Sequence, residues 1–170
     1  MHFRGLQPTC RYVPSGRQFF NPAPHVLDNG TIMCAYRAGA RSGGEHVSVA
    51  TAANPTSLYI DARAAPAVSH TGEDPFLWRD ERGYYHMLMH NMGSGGCGAH
   101  AFSRDGATWT RSEDAPYTYD VEFSNNSSVT MRRRERPQLL LTPDGRPLFF
   151  SSGVEYASDS TYTLVMKFAV

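Results

Sequence analysis

Apolar residues in this chain come in short runs, several alternating with polar ones, and no stretch keeps a 3.6-residue period long enough for a helix. Residues 84–90, Tyr-Tyr-His-Met-Leu-Met-His, show the pattern most clearly. Tyr84, His86, Leu88 and His90 fall on one face, and Tyr85, Met87 and Met89 on the other. Further runs at 31–36, 46–50, 58–60, 98–102, 148–150 and 162–170 predict short strands. The punctuation between them is turn chemistry, as in Asp28-Asn29-Gly30, Asp105-Gly106 and Pro143-Asp144-Gly145. The pattern predicts an all-β chain.

Three stretches repeat one grammar: polar residues on a proline, a strand, a polar turn closed by glycine, and a second strand. The proline–glycine pairs are 22 and 30, 75 and 83, 137 and 145, eight residues apart each time, and the prolines follow one another at 53 and 62 residues. That period fits one four-stranded blade, so the expected architecture is a β-propeller with about three blades. The repeats run approximately over 19–64, 72–111 and 134–170, with residues 1–18 reading as the tail of a preceding unit. Only 33 residues follow Pro137, room for three strands; the N-terminal part can supply the fourth. Propellers use about four to eight blades, so missing blades of a longer protein, or a partner, are expected to close the ring.

Composition narrows the function classes. Sixteen basic residues balance sixteen acidic ones, which argues against nucleic-acid and membrane-surface partners. Apolar content of 41% is enough to build a core. Cys10, Cys34 and Cys97 lack metal-ligand spacing and allow one internal disulfide at most. No apolar run is long enough to span a membrane, and the N-terminus lacks the apolar region of a signal peptide. Asn125-Asn126-Ser127-Ser128 holds two overlapping glycosylation sequons, meaningful only in a secreted protein, so the compartment stays open.

The chemistry concentrates at the repeated proline. In a propeller the first strand of each blade lines the central channel, so Asn21, Asp74 and Arg136, each directly before proline, converge with Phe20, Glu73 and Glu135 one place earlier. Asp74 and Glu135 can then face one pocket from neighbouring blades, and glycoside hydrolysis requires such a carboxylate pair. On a regular strand Glu73 falls on the face opposite Asp74, and Arg133 shares the face of Glu135, where its charge would favour the ionised carboxylate, while Arg134 and Arg136 point away.

Glu73-Asp74-Pro75 and Glu135-Arg136-Pro137 resemble two of the three acidic motifs of the arabinanase, levansucrase and invertase superfamily, most closely those of glycoside hydrolase family 43. The resemblance implies a five-bladed propeller and a glycosidase of furanosidase, xylosidase or galactosidase type acting on carbohydrate. It implies Glu135 as general acid and Asp74 as the residue that tunes its pKa and orients the sugar. The family's general base is an aspartate near the start of the first blade; here that position holds Asn21, which cannot act as a base. The base is therefore expected before Met1 in an intact protein, or is absent, and this chain alone is expected to be inactive.

Asn21, Arg37, Glu73, Trp78, His90 and His100 are the candidate substrate-binding residues: channel polar groups, a stacking platform and two inner-strand histidines. No cofactor is expected, apart from a structural Ca2+ in the channel. Two rivals stand beside the hydrolase: a non-catalytic carbohydrate-binding propeller, and a sialidase-type propeller suggested by Ser103-Arg104-Asp105-Gly106-Ala107-Thr108-Trp109, close to an Asp box. That turn reads as a folding element.

Overall fold

The computed structural model describes residues 18–40, 43–62, 67–68, 72–93, 97–157 and 160–168. The proposed N-terminal tail, its donation of an outer strand, and Cys10 lie outside the described residues. Among the described residues there is no helix.

Strands β1 (Gln18–Val26), β2 (Ile32–Ala40), β3 (Gly43–Ala52) and β4 (Ile60–Asp61) form one antiparallel sheet in chain order. Strands β5 (Gly72–Arg79), β6 (Tyr85–Asn91), β7 (Gly98–Ser103) and β8 (Thr110–Arg111) form a second of the same design. A small hairpin follows, β9 (Asp120–Glu122) with β10 (Ser128–Thr130). The third sheet has three strands, β11 (Arg133–Leu141), β12 (Pro147–Glu155) and β13 (Thr161–Lys167). β5 touches β1, β2 and β3 on one side and β11 on the other, so the second sheet sits between its neighbours. This is propeller architecture, with no closed ring among the described residues.

Alternation assigns the two faces of the middle sheet to two cores. Leu77, Met87, Met89, Ala99 and Ala101 meet Met33, Ala35, Val47 and Val49 of the first sheet. Trp78, Leu88 and Cys97 meet Tyr117 and Phe150, with Leu139, Leu141 and Met166 packed alongside. Cys34 and Cys97 are buried in different clusters.

The repeated proline has a backbone counterpart. Asn21, Asp74 and Arg136 all adopt left-handed φ values, 48°, 50° and 55°. At each of them the pairing slips, between Phe20 and Ala23, Glu73 and Phe76, and Glu135 and Gln138. Each sheet thus begins with a β-bulge at its X-Pro step, a device that re-aims side chains, and a non-glycine residue there is strained. Eight residues after each proline, Gly30, Gly83 and Gly145 close the first hairpins at φ 82°, 85° and 84°, values that favour glycine. A Cβ on Gly145 would run into the carbonyl oxygen of Arg79, so the third sheet's turn lies directly on the end of β5.

The Asp-box-like segment is a turn: Asp105 accepts the N–H groups of Ala107 at 2.9 Å and Thr108 at 2.7 Å, and Trp109 Nε1 donates to the Gly106 carbonyl at 3.1 Å.

Candidate functional site

The first two bulges deliver their side chains to one mouth. The Asn21 amide donates to Asp74 Oδ1, tying the first sheet to the second. Arg37 reaches across the same gap: Nη1 lies 2.6 Å from Glu73 Oε2, and Nη2 pairs with Glu45. His90 Nδ1 sits 3.3 Å from Glu73 Oε1. The Arg37 guanidinium also lies over the Phe20 ring, 5.7 Å from its centre. Its Nε is buried without a hydrogen-bond acceptor, a donor that a bound hydroxyl could satisfy.

From the third sheet, Arg133 Nη2 is 2.6 Å from Glu135 Oε1, and Arg136 Nη1 is 3.8 Å from Glu135 Oε2. These groups share a field with the middle sheet. The charge of Arg136 acts on Asp74, and that of Glu73 acts on Arg133. Glu135 stands between two arginines beside a hollow of ≈ 320 Å³ that Gly153 and Thr163 help to line.

Burial pushes the Asp74 carboxyl above its ordinary pKa. The neighbouring Glu73 charge adds to the rise, while the Asn21 amide, Arg136 and His90 pull the other way. Glu73, Asp74 and His90 each offer one ligand atom, all within 4.8 Å of one another.

Strand alternation misjudged two positions. It put Glu73 on the face opposite Asp74, whereas the bulge brings both carboxylates into one cluster. It also turned Arg136 away from Glu135, whereas the bulge after Glu135 returns Arg136 to that carboxylate. Glu45 was missed because a carboxylate two strands from the bulge has no motif around it.

Trp78 and His100 do not join the cluster. Trp78 is 7% exposed, packed with Leu88, Tyr117 and Phe150 and stacked on His86 with ring centres 5.0 Å apart. Four residues beyond Asp74 on β5, it belongs to the packing between sheets. His100 lies in a separate chain: His86 Nε2 is 3.3 Å from Asp80, His86 Nδ1 is 3.1 Å from His100 Nε2, and His100 Nδ1 is 2.7 Å from Ser112 Oγ. Asp80 is held ionised at about 2: burial works against this, but hydrogen bonds from Arg82, the Tyr84 N–H and His86 outweigh it. An ionised Asp80 can only accept, so His86 Nε2 donates to it, and the tautomer of His100 sets the direction of the two remaining links.

No protein-family model matches this sequence, and no curated protein matches it. Solved structures do share its fold. A fructan 1-exohydrolase IIa from Cichorium intybus superposes with a TM-score of 0.61 at 12% identity, over 89% of this chain and 31% of that one. An endo-arabinase from Bacteroides thetaiotaomicron VPI-5482 gives 0.61 at 12% identity, over 93% and 58%. An alpha-L-arabinofuranosidase from Lactobacillus brevis gives 0.62 at 11%, over 92% and 54%. The described sheets are thus those of a β-propeller. The propellers they match are five-bladed glycoside hydrolases, of whose length this chain spans about a third to somewhat over half. Among the described residues no helix is long and apolar enough to cross a membrane.

Proposed function

We propose that the X-Pro end of this protein is a carbohydrate site of the glycoside hydrolase kind, with Glu135 as general acid and Asp74 as the carboxyl that tunes it. The observation that supports this reading is the bulge repeated at the three X-Pro steps, with the charge of Arg136, the ion-pair partner of Glu135, acting on Asp74. In the reaction Glu135 would protonate the leaving glycosidic oxygen while water adds at the anomeric carbon. The amide of Asn21 cannot take the proton from that water, so the activating carboxylate comes from elsewhere than the first sheet's X-Pro step. Arg37 Nε, Glu73 and His90 are the groups for sugar hydroxyls, and Glu73, Asp74 and His90 are the donors for a Ca2+ in the channel. The fold shared with glycoside hydrolases supports the substrate class.

The test is turnover by the intact protein on a panel of aryl arabinosides, xylosides, galactosides and fructosides, with Glu135→Gln and Asp74→Asn alongside. General-acid loss should lower the rate by about a hundredfold or more; unchanged turnover in Glu135→Gln would remove Glu135 from the mechanism. Two observations favour a second reading, a propeller that binds glycans without cleaving them: the Asn21 amide is committed to Asp74, and Glu135 is held by two arginines. That reading expects saturable sugar binding with no product, lost when Glu73 or His90 is changed.

A further inference from the structure

Away from the X-Pro end, a cavity of ≈ 670 Å³ opens between the second and third sheets, and it is apolar for most of its lining. Trp78, Leu139, Phe150 and Met166 supply walls. A volume in this range is what small-molecule sites occupy. Among the lining residues is Arg134, only 3% exposed.

Arg134 is a buried cation without a carboxylate partner among the described residues. Its guanidinium has five N–H donors. Nε donates to Ser152 Oγ at 3.3 Å, Nη1 to the Thr118 carbonyl at 2.7 Å and Nη2 to Met166 Sδ at 3.2 Å. The Tyr117 and Phe150 rings each lie 5.2 Å from its Cζ. These neighbours solvate the charge; none neutralises it. An arginine does not discharge by losing its proton, and a buried charge left unpaired is costly. Asp120 and Glu122 also line the cavity, but both are exposed, and neither is among the polar partners of Arg134. Lys167, exposed on the same lining, offsets one of them.

The geometry points to this cavity as a binding site for a small amphiphilic monocarboxylate, its apolar body against Trp78 and Phe150 and its carboxylate on Arg134. The site is separate from the glycan mouth, and its occupant needs no sugar character. A fatty acid and an arylalkanoic acid share this chemistry.

The test is calorimetric titration of the intact protein with decanoate, 4-phenylbutyrate and their neutral counterparts 1-decanol and 4-phenylbutanol. A charge-assisted pair to a buried partner predicts that each bound acid is about ten- to a hundredfold tighter than its alcohol. Whichever acid binds more tightly identifies the alkyl or the aromatic body. Arg134→Gln should erase the preference for acid over alcohol. Ala115→Trp, at an exposed lining position, should weaken acid and alcohol alike. Equal affinities for acid and alcohol in the unmodified protein, no binding of either acid, or acid binding indifferent to Ala115→Trp would each overturn the assignment. The acid–alcohol contrast needs no substitution, so the test survives if Arg134→Gln fails to fold.

Discussion

The middle sheet presents two faces to two neighbours, and the two interfaces are built differently. Toward the first sheet it offers methionine, leucine and alanine, which interlock with small and β-branched residues; Met87 and Met89 are fully buried there. Toward the third sheet it offers Trp78, Leu88 and a ladder of stacked histidines, facing aromatic rings, a buried arginine and an open cavity. Both faces come from the same strands, one residue out of phase. A flexible methionine fills the irregular gap between two closely set sheets. Rigid rings leave the space they cannot fill, and polar chemistry collects there. The first interface serves cohesion, and the second has room for a ligand.

The largest expected contrast is in truncation. Met87→Ala should cost about 2–5 kcal/mol, as a cavity opened in a packed core does. Leu139→Ala, which only enlarges a space already present, should cost less than about 1.5 kcal/mol. Urea unfolding measures both, and equal costs would mean that the second interface is as tight as the first. Next comes the rim of that interface, where the sheets do touch. Gly145→Ala must displace the Arg79 carbonyl, whereas a Cβ on Gly30 meets nothing within 4 Å at nearly the same φ. Both lose glycine's conformational freedom, so the excess for Gly145, roughly 1–3 kcal/mol in thermal unfolding, reports the contact alone.

Acid should act on the second interface first. Burial, with His86 beside it, lowers His100 to about 4 from an ordinary 6.5. Between those values the unfolded chain binds a proton that the folded chain refuses, so stability falls as pH drops from 6.5 to 4 and then levels off. Partial exposure reduces the loss to about 1–2 kcal/mol. His100→Gln should flatten that part of the stability–pH curve, and an unchanged slope would show that the histidine chain carries no linkage.

The smallest effect belongs to the mouth that holds Asp74. Burial raises the Asp74 pKa, so its contribution to stability is present below the unfolded carboxylate value and is lost as pH rises through the folded one. Asp74→Asn keeps a residue type that tolerates left-handed φ and an acceptor for the Asn21 amide. It should gain under about 1 kcal/mol at neutral pH and nothing below pH ~4, as read by unfolding at both pH values.

Much of this was legible in the chain because local chemistry repeats. The proline, the glycine eight residues later and the alternating strand between them announced three similar sheets, and the Asp-Gly turn before Trp109 declared its own role. The bulges were not legible. An aspartate, an asparagine and an arginine before proline carry no common signal for left-handed φ, and alternation presumes a regular strand. Glu73 and Arg136 were therefore placed on the wrong faces by the one step the pattern could not see.

What the sequence determined by itself is the all-β class, the repeat and the faces of each strand away from its bulge, because these depend on side-chain periods of two and on turn residues acting within a few positions. The tertiary structure decided which faces meet. It made Arg134 a buried cation instead of one more member of an arginine run, turned Trp78 into a wall between sheets, and tied Asn21 to Asp74. Those outcomes depend on the distance between sheets, which is fixed by how bulky side chains from separate repeats pack, and no single repeat holds that information.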